Sequence, residues 1–234
     1  MHRVTAPSII AGLLALSMLS FSLVLIDDPG PFAPGSALLI AIGSWSYALI
    51  AIAGMLLVRA PWARWLGLGT AAGTLVVVAA IGFDSGLAFL ATGTALIAIF
   101  GLAGPWLTGW LRQRPGTGPE PAAVALPLVA IGAPAVAGIA AWDGLAAAVV
   151  IAAIVGPVAA WGYGRSLITG LWTLRVVYPI AAGVAAIQLE PAGAALMIAH
   201  GASVAVLSWS RAASRAQRSI GGPLPAPRSR KRKP

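Results

Sequence analysis

Two histidines and six carboxylates are all the imidazole and carboxylate side chains in these 234 residues, and no cysteine joins them. His200 is the strongest candidate for chemistry. It stands near the centre of an apolar run, beside Gly201 and close to Ser203. An imidazole there could relay a proton, activate a hydroxyl or hydrogen-bond its neighbours. The His200–Ser203 spacing is too loose to define a hydrolase, which needs nucleophile, base and orienting group in line. His2 lies at the other end of the chain, so no histidine pair can bind a metal. Asp27-Asp28 runs straight into Pro29-Gly30 and lacks the second acidic cluster that a magnesium-diphosphate site needs. No Walker-type glycine loop is present. Thiolate chemistry, disulfides and cysteine-bound metals are excluded by composition. No carboxylate lies mid-run, where ion-coupled carriers and proton pumps usually place one. The expectation is therefore no catalytic residue, no metal and no cofactor.

A few other polar side chains reach a depth similar to that of His200: Ser17, Thr74, and Tyr47 within the run Gly43-Ser44-Trp45-Ser46-Tyr47. Leaving a hydroxyl or an imidazole in lipid without a partner is costly. The shared depth predicts that Tyr47 and His200 face the interior and line one polar spot. Trp45, Ser17 and Thr74 complete the candidate ligand-binding set. The alternative is that these groups only satisfy one another.

The elements that must position them are membrane helices. Hydrophobic residues make up 59% of the chain and charged residues 9%, against about 25% charged in a soluble domain. A spanning helix needs roughly 20 mainly apolar residues. Eight stretches qualify: 7–26, 37–58, 65–83, 86–110, 122–141, 144–163, 172–189 and 191–209. The first is longer than a signal-peptide core and offers no small-residue cleavage pattern, so it is read as a retained span. The breaks alternate in charge. Arg3, Arg59 with Arg64, Arg112 with Arg114, Arg165 with Arg175, and the C-terminal tail fall on one side. Asp27 with Asp28, Asp84, Asp143 and Glu190 fall on the other, and Glu120 is the exception. The positive-inside rule puts the basic side and both termini in the cytoplasm. Seven tryptophans (Trp62, Trp65, Trp106, Trp110, Trp161, Trp172 and Trp209) fall near that same interface and Trp142 near the outer one, the depth that amphipathic rings favour. The fold class is all-α, a polytopic bundle of about eight spans over residues 1–210, with a basic tail over 211–234.

Within the sixth span a small residue recurs at every fourth position: Gly144, Ala148, Ala152, Gly156, Ala160 and Gly164. Such a face lets helix backbones approach closely. Ala148, Ala152, Gly156 and Ala160 are therefore packing candidates, and the span is expected at the centre of the bundle or at a subunit interface. Gly69 and Gly73 form a shorter version. Pro127, Pro134, Pro157 and Pro179 make the C-terminal half the more bent one. The outer tips Phe83-Asp84-Ser85-Gly86 and Trp142-Asp143-Gly144 look alike. Either a hairpin was duplicated or tight turns recruited Asp and Gly independently.

The tail carries Arg211, Arg215, Arg218, Arg228, Arg230, Lys231, Arg232 and Lys233 and no acid. Subtracting these eight charges from the net +9 leaves +1, so the basicity belongs to the tail. Arg211, Arg215 and Arg218 would share one face of a continuing helix. Gly221-Gly222-Pro223 should end it, with a disordered segment beyond. Clustered Arg and Lys beside a span attract anionic lipid, so Arg211, Arg215, Arg218, Arg230, Lys231, Arg232 and Lys233 are the anionic-lipid candidates. Nucleic acid is not an expected partner, because no folded module or aromatic interleaving accompanies the charge. The expected partners are the bilayer, anionic lipids, and a membrane protein or a second copy of the chain. The Ala-rich, Arg-over-Lys composition suggests a bacterial inner membrane. The reading is a non-catalytic accessory or scaffold protein, or a bundle that binds a small apolar molecule. The alternative is a permease for neutral or lipid-like solutes. No motif is strong enough to name a family.

Overall fold

The computed structural model describes residues 5–111, 121–165 and 167–221, with side chains except those of residues 5, 58, 121, 122 and 218–221. The expectations for Arg3, Arg112, Arg114, Glu120, the Arg218 side chain, Arg228, Arg230, Lys231, Arg232 and Lys233 lie outside the described residues.

Among the described residues every regular element is helical. Seven helices are long and apolar enough to cross a membrane: α1 (Thr5–Asp27), α2 (Pro34–Ala53, extended by a π-helical turn Gly54–Val58), α3 (Pro61–Ile81), α4 (Gly86–Ala103), α8 (Ala147–Gly164), the run from α9 (Ile168–Trp172) through a second π segment (Thr173–Val177) to α10 (Tyr178–Ala186), and α11 (Pro191–Trp209). The eighth is a broken span: α6 (Pro121–Ile131) and α7 (Ala133–Ala140) meet at 44°. Two further helices, α5 (Pro105–Leu111) and α12 (Arg211–Gly221), are too short to cross.

Proline writes many of the starts. Pro34, Pro61, Pro105, Pro121 and Pro191 open their helices, where a missing N–H costs nothing and the fixed φ suits the first turn. Ser85 caps α4 by accepting from the Ala88 N–H at 3.1 Å. Asp28 Oδ1 accepts from the Gly30 N–H at 2.9 Å, which fixes the first outer turn. The second and third spans start at Pro34 and Pro61, three and four residues earlier than read, and three further boundaries depart from the sequence reading. The fourth span stops at Ala103, because Gly104-Pro105 starts α5 in a new direction. The sixth begins at Ala147, not Gly144; Asp143-Gly144 makes a turn but caps nothing. The seventh starts at Ile168, four residues earlier than expected. That places Arg175 well inside it.

The interior is built largely from small residues. Ala48, Ala51, Ala91, Ala95, Ala98, Ala137, Ala152 and Ala182 are fully covered. Large apolar side chains point outward: Leu57, Val76, Phe89, Phe100, Ile187 and Val206 are each at least 65% exposed. A soluble protein would not carry so much exposed apolar surface. In lipid, close backbone packing rather than water exclusion holds helices together, and small residues supply it.

The spans form two rings. In the first, α1 packs on α2 and α4, and α3 packs on α2 and α4. In the second, the broken span packs on α8 and α11, and α10 packs on the same two. One seam joins the rings, α2 against α7. A Cβ on Gly43 of α2 would lie 2.5 Å from the Ala135 nitrogen, so the seam depends on glycine. If the halves were related by a two-fold axis, α1 should meet α8 as α2 meets α7. No comparable α1–α8 contact exists among the described residues. The two rings thus share their connectivity but not a symmetric interface, and the two similar outer tips stand at non-equivalent places in them.

The charges sort by end. Gly30 packs against Ile81, the Ala33 N–H donates to the Trp142 carbonyl, and Gly193 lies on the Ala140 carbonyl. These contacts gather the turns that hold Asp27, Asp28, Asp84, Asp143 and Glu190. At the opposite end Trp110 Nε1 donates to the Met55 carbonyl at 2.9 Å. Arg59 stacks 3.9 Å from the Trp110 ring, and Arg64 donates to Thr108 Oγ1 at 3.1 Å.

Candidate functional site

The break in the fifth span is where the polar side chains converge. Pro134 has no N–H to offer the Ala130 carbonyl, and its ring crowds that carbonyl. The chain answers with a 3₁₀-like turn, in which the Gly132 N–H donates to the Val129 carbonyl at 3.1 Å. His200 Nε2 reaches the same carbonyl at 3.0 Å from α11. A carbonyl only accepts, so Nε2 carries the proton. In the neutral ring Nδ1 is then an acceptor, and Tyr178 Oη donates to it at 2.5 Å. Tyr178 is fully buried, and its ring meets the imidazole edge-on at 5.6 Å between centroids. The chain Tyr178–His200–Val129 thus ties α10 and α11 to the break.

Tyr47 arrives at the break from α2. A Cβ on Gly132 would collide with its hydroxyl. Tyr47 and His200 therefore meet the same turn of backbone, one at Gly132 and the other at Val129. The small-residue face of α8 closes the other side. A Cβ on Gly156 would lie 2.6 Å from both the Ala130 oxygen and the Ala133 Cβ, and 3.1 Å from Tyr178 Cε2. Ala152 and Ala160 are buried on this face and Ala148 is half-buried, while Gly144 and Gly164 at its ends are exposed. The hub is the broken fifth span, which touches α2, α8 and α11. The sixth span is peripheral: its small face is consumed inside the ring, and Ile151, Ile154 and Val158 face out.

The other candidate ligand-binding residues are elsewhere. Trp45 turns toward α1, where its Nε1 donates to Ser22 Oγ at 2.8 Å. Ser17 is fully buried in the first ring, and its Oγ has no hydrogen-bond partner among the described residues. Thr74 donates to the Thr70 carbonyl of its own helix at 3.1 Å. Ser203 donates to the Ala199 carbonyl and is exposed, so it does not approach the imidazole as a nucleophile would. Gly69 and Gly73 face outward with open space beside them. Among the described residues no three His, Asp or Glu side chains gather as metal ligands.

Tyr178 is the member of this polar cluster that sequence reasoning missed. The signal was available: it lies mid-span like Tyr47, and a phenol at that depth needs a partner.

Arg175 has a second role that its position in the chain concealed. The π segment carries it two turns into the seventh span, and its guanidinium returns to the basic end. Nε donates to the Ser208 carbonyl at 3.0 Å and NH2 to Ser214 Oγ at 2.6 Å. The group lies 4.7 Å from the Trp209 ring and 5.5 Å from Trp172. The last helix does not continue α11. It restarts as α12 after Ser210, whose Oγ accepts from the Ala213 N–H at 3.1 Å. Tyr163 Oη donates to the Ala213 carbonyl at 3.2 Å. Ala213 and Gln217 face the bundle, and Arg211 and Arg215 face out.

A groove of about 300 Å³ opens on the outer surface between α8 and the α9–π run. Gly162 and Gly170 approach closely at its floor, a Cβ on Gly162 lying 3.3 Å from the Gly170 Cα. Ile154, Val158, Leu167 and Val177 wall it, with Trp161 toward the basic end. Arg165 stands 5.3 Å from the Trp161 ring.

Fold and surface together define a multi-pass helical membrane protein. Comparison with protein families, characterised proteins and solved structures finds no match to the chain.

Proposed function

We propose that the chain is a non-catalytic integral membrane protein that holds a lipid-like apolar molecule against its second ring. The carrying observation is the groove between α8 and the α9–π run, whose walls are almost wholly apolar. Ligand sites are concavities of this scale, from about 300 Å³ upward. The non-catalytic part is supported by His200, whose two ring nitrogens are both engaged in holding the break. The charge sorting supports an orientation with the basic end and both termini in the cytoplasm, in a bacterial inner membrane. Arg211 and Arg215 on the outward face of α12 support contact with anionic lipid. The same bundle could serve as an accessory subunit for a membrane partner or for further copies of itself.

Purification in mild detergent, followed by identification of bound lipids and proteins, tests the reading. Retained lipid that is lost from Val158→Trp, which fills the groove, is the expected result. A stoichiometric protein partner with no groove-dependent lipid would instead make the chain a scaffold. One observation favours a permease as the second reading. Span five is discontinuous at mid-depth, and discontinuous helices build many transport sites. Solute flux in liposomes that is abolished by Gly132→Ala would favour it.

A further inference from the structure

We infer that the groove between α8 and the α9–π run selects an anionic phospholipid, with Arg165 as its headgroup contact. The inference rests on the apolar-ligand reading and adds the headgroup. The basic groups near this end divide into engaged and unengaged ones. Arg64 donates to Thr108 and to the Ala103 carbonyl, Arg175 to Ser208 and Ser214, and Arg59 lies on Trp110. Arg165 donates no side-chain hydrogen bond and makes no ion pair among the described residues. Its side chain lies 5.3 Å from the Trp161 ring, which is itself a wall of the groove. A cation held at a groove mouth by its own wall is placed to meet the phosphate of a lipid whose chain lies along Ile154, Val158 and Val177. Thr169 is exposed on the same rim and adds a hydroxyl donor.

The surrounding charge favours an anionic over a zwitterionic headgroup. Every described carboxylate belongs to the opposite end of the bundle, so none of the described carboxylates competes for Arg165. A choline or ethanolamine cation would meet the like charge of Arg165 there. The apolar surface alone would not discriminate between headgroups. One basic side chain at a membrane surface is worth about 1 kcal/mol, which corresponds to about fivefold in the ratio of bound lipids.

The test uses the full-length protein, delipidated in mild detergent and offered equal amounts of phosphatidylglycerol and phosphatidylcholine with identical chains. Native mass spectrometry reads the ratio bound. The expected result is about a fivefold preference for phosphatidylglycerol that falls to near one in Arg165→Gln, survives in Arg165→Lys, and survives in Arg211→Gln/Arg215→Gln. Bromination of the chains adds a local readout: the quenching component that disappears in Trp161→Phe should follow the same ratios. Three results overturn the inference. A wild-type ratio near one, with lipid still displaced by Val158→Trp, leaves the apolar groove standing and removes headgroup selection. A preference that survives Arg165→Gln and disappears in Arg211→Gln/Arg215→Gln assigns it to α12. Lipid binding unaffected by Val158→Trp defeats both the inference and the reading beneath it. Arg165 and Val158 are exposed, so these substitutions leave the core intact.

Discussion

Breaking the hydrogen bond between Tyr178 and His200 should cost stability in a way that only the pair explains. His200→Leu removes the imidazole and leaves Tyr178 Oη, on a fully buried residue, without its acceptor. An orphaned buried hydroxyl costs about 1–3 kcal/mol. The Val129 carbonyl loses less, because the Gly132 N–H still serves it at 3.1 Å. Tyr178→Phe removes the hydroxyl and orphans Nδ1, at a cost of about 1–2 kcal/mol. The double variant removes both partners, so it should be less damaged than the sum of the two. Interhelical hydrogen bonds in membrane bundles couple by about 0.6 kcal/mol on average and about 1.7 at most. A bond that joins two spans at a break belongs near the upper end, so the expected coupling is about 1–1.7 kcal/mol. Reversible unfolding in mixed micelles of increasing dodecyl sulfate fraction, followed by tryptophan fluorescence, measures all four corners of the cycle. Additivity to within about 0.3 kcal/mol is the behaviour of independent sites. It would refute the claim that the pair acts as one clamp on the broken span.

Other consequences are local. Gly156→Leu should destabilise the second ring by about 1–3 kcal/mol, since no side chain fits between α8 and the break. Gly69→Ala should be neutral or gain up to about 1 kcal/mol, because its surroundings are open and alanine favours helix; the same unfolding titration reads both. Arg175→Ala should free α12, seen as faster amide exchange over residues 211–221 with little change in α8. Arg175→Lys should not rescue it fully, because an ammonium lacks the fork that reaches Ser208 and Ser214 together. The chain has no cysteine, so single-cysteine labelling needs no prior substitution. Ser85→Cys and Asp143→Cys should react from one side of the membrane and Arg165→Cys from the other. Reaction of Asp143→Cys and Arg165→Cys from the same side would sink the eight-crossing layout.

Hydropathy and charge were enough to place nearly every span, because both report depth. Arg and acidic residues alternate along the chain at the spacing of a bilayer, and no packing detail is needed to read that. Azimuth is a different quantity. Trp45 and Tyr47 share a depth, but two residues on a helix point about 200° apart, so one reaches Ser22 on α1 and the other reaches Gly132. Only packing shows which. The break at Gly132 was half visible. Pro134 announced a kink, but the imidazole that meets the tightened turn lies 68 residues downstream of Gly132 in α11. The turn into α12 was legible in Ser210, a capping residue set before a basic run. It was obscured by reading Arg211, Arg215 and Arg218 as one continued face.

The two irregular stretches of the second ring answer one constraint. Pro134 and Pro179 each leave a carbonyl without its helical donor, at Ala130 and Arg175 respectively. Lipid offers no water to repair this, so the protein must. Near Pro179 the chain widens into a π segment, in which the Tyr178 N–H reaches back to the Thr173 carbonyl. That extra residue turns Tyr178 inward, where it meets His200. Near Pro134 the chain tightens instead, and His200 adds a second donor to the Val129 carbonyl beside the Gly132 N–H. The widened helix thus delivers the phenol that fixes the tautomer of the imidazole that steadies the tightened one. Relieving the first irregularity, as Pro179→Ala would, should therefore weaken the second at a distance. Amide exchange of Gly132 and Ala133 ought to accelerate although no residue near them has changed. If exchange at the break stayed the same while the π segment relaxed to α, the two irregularities would be independent accommodations of separate prolines.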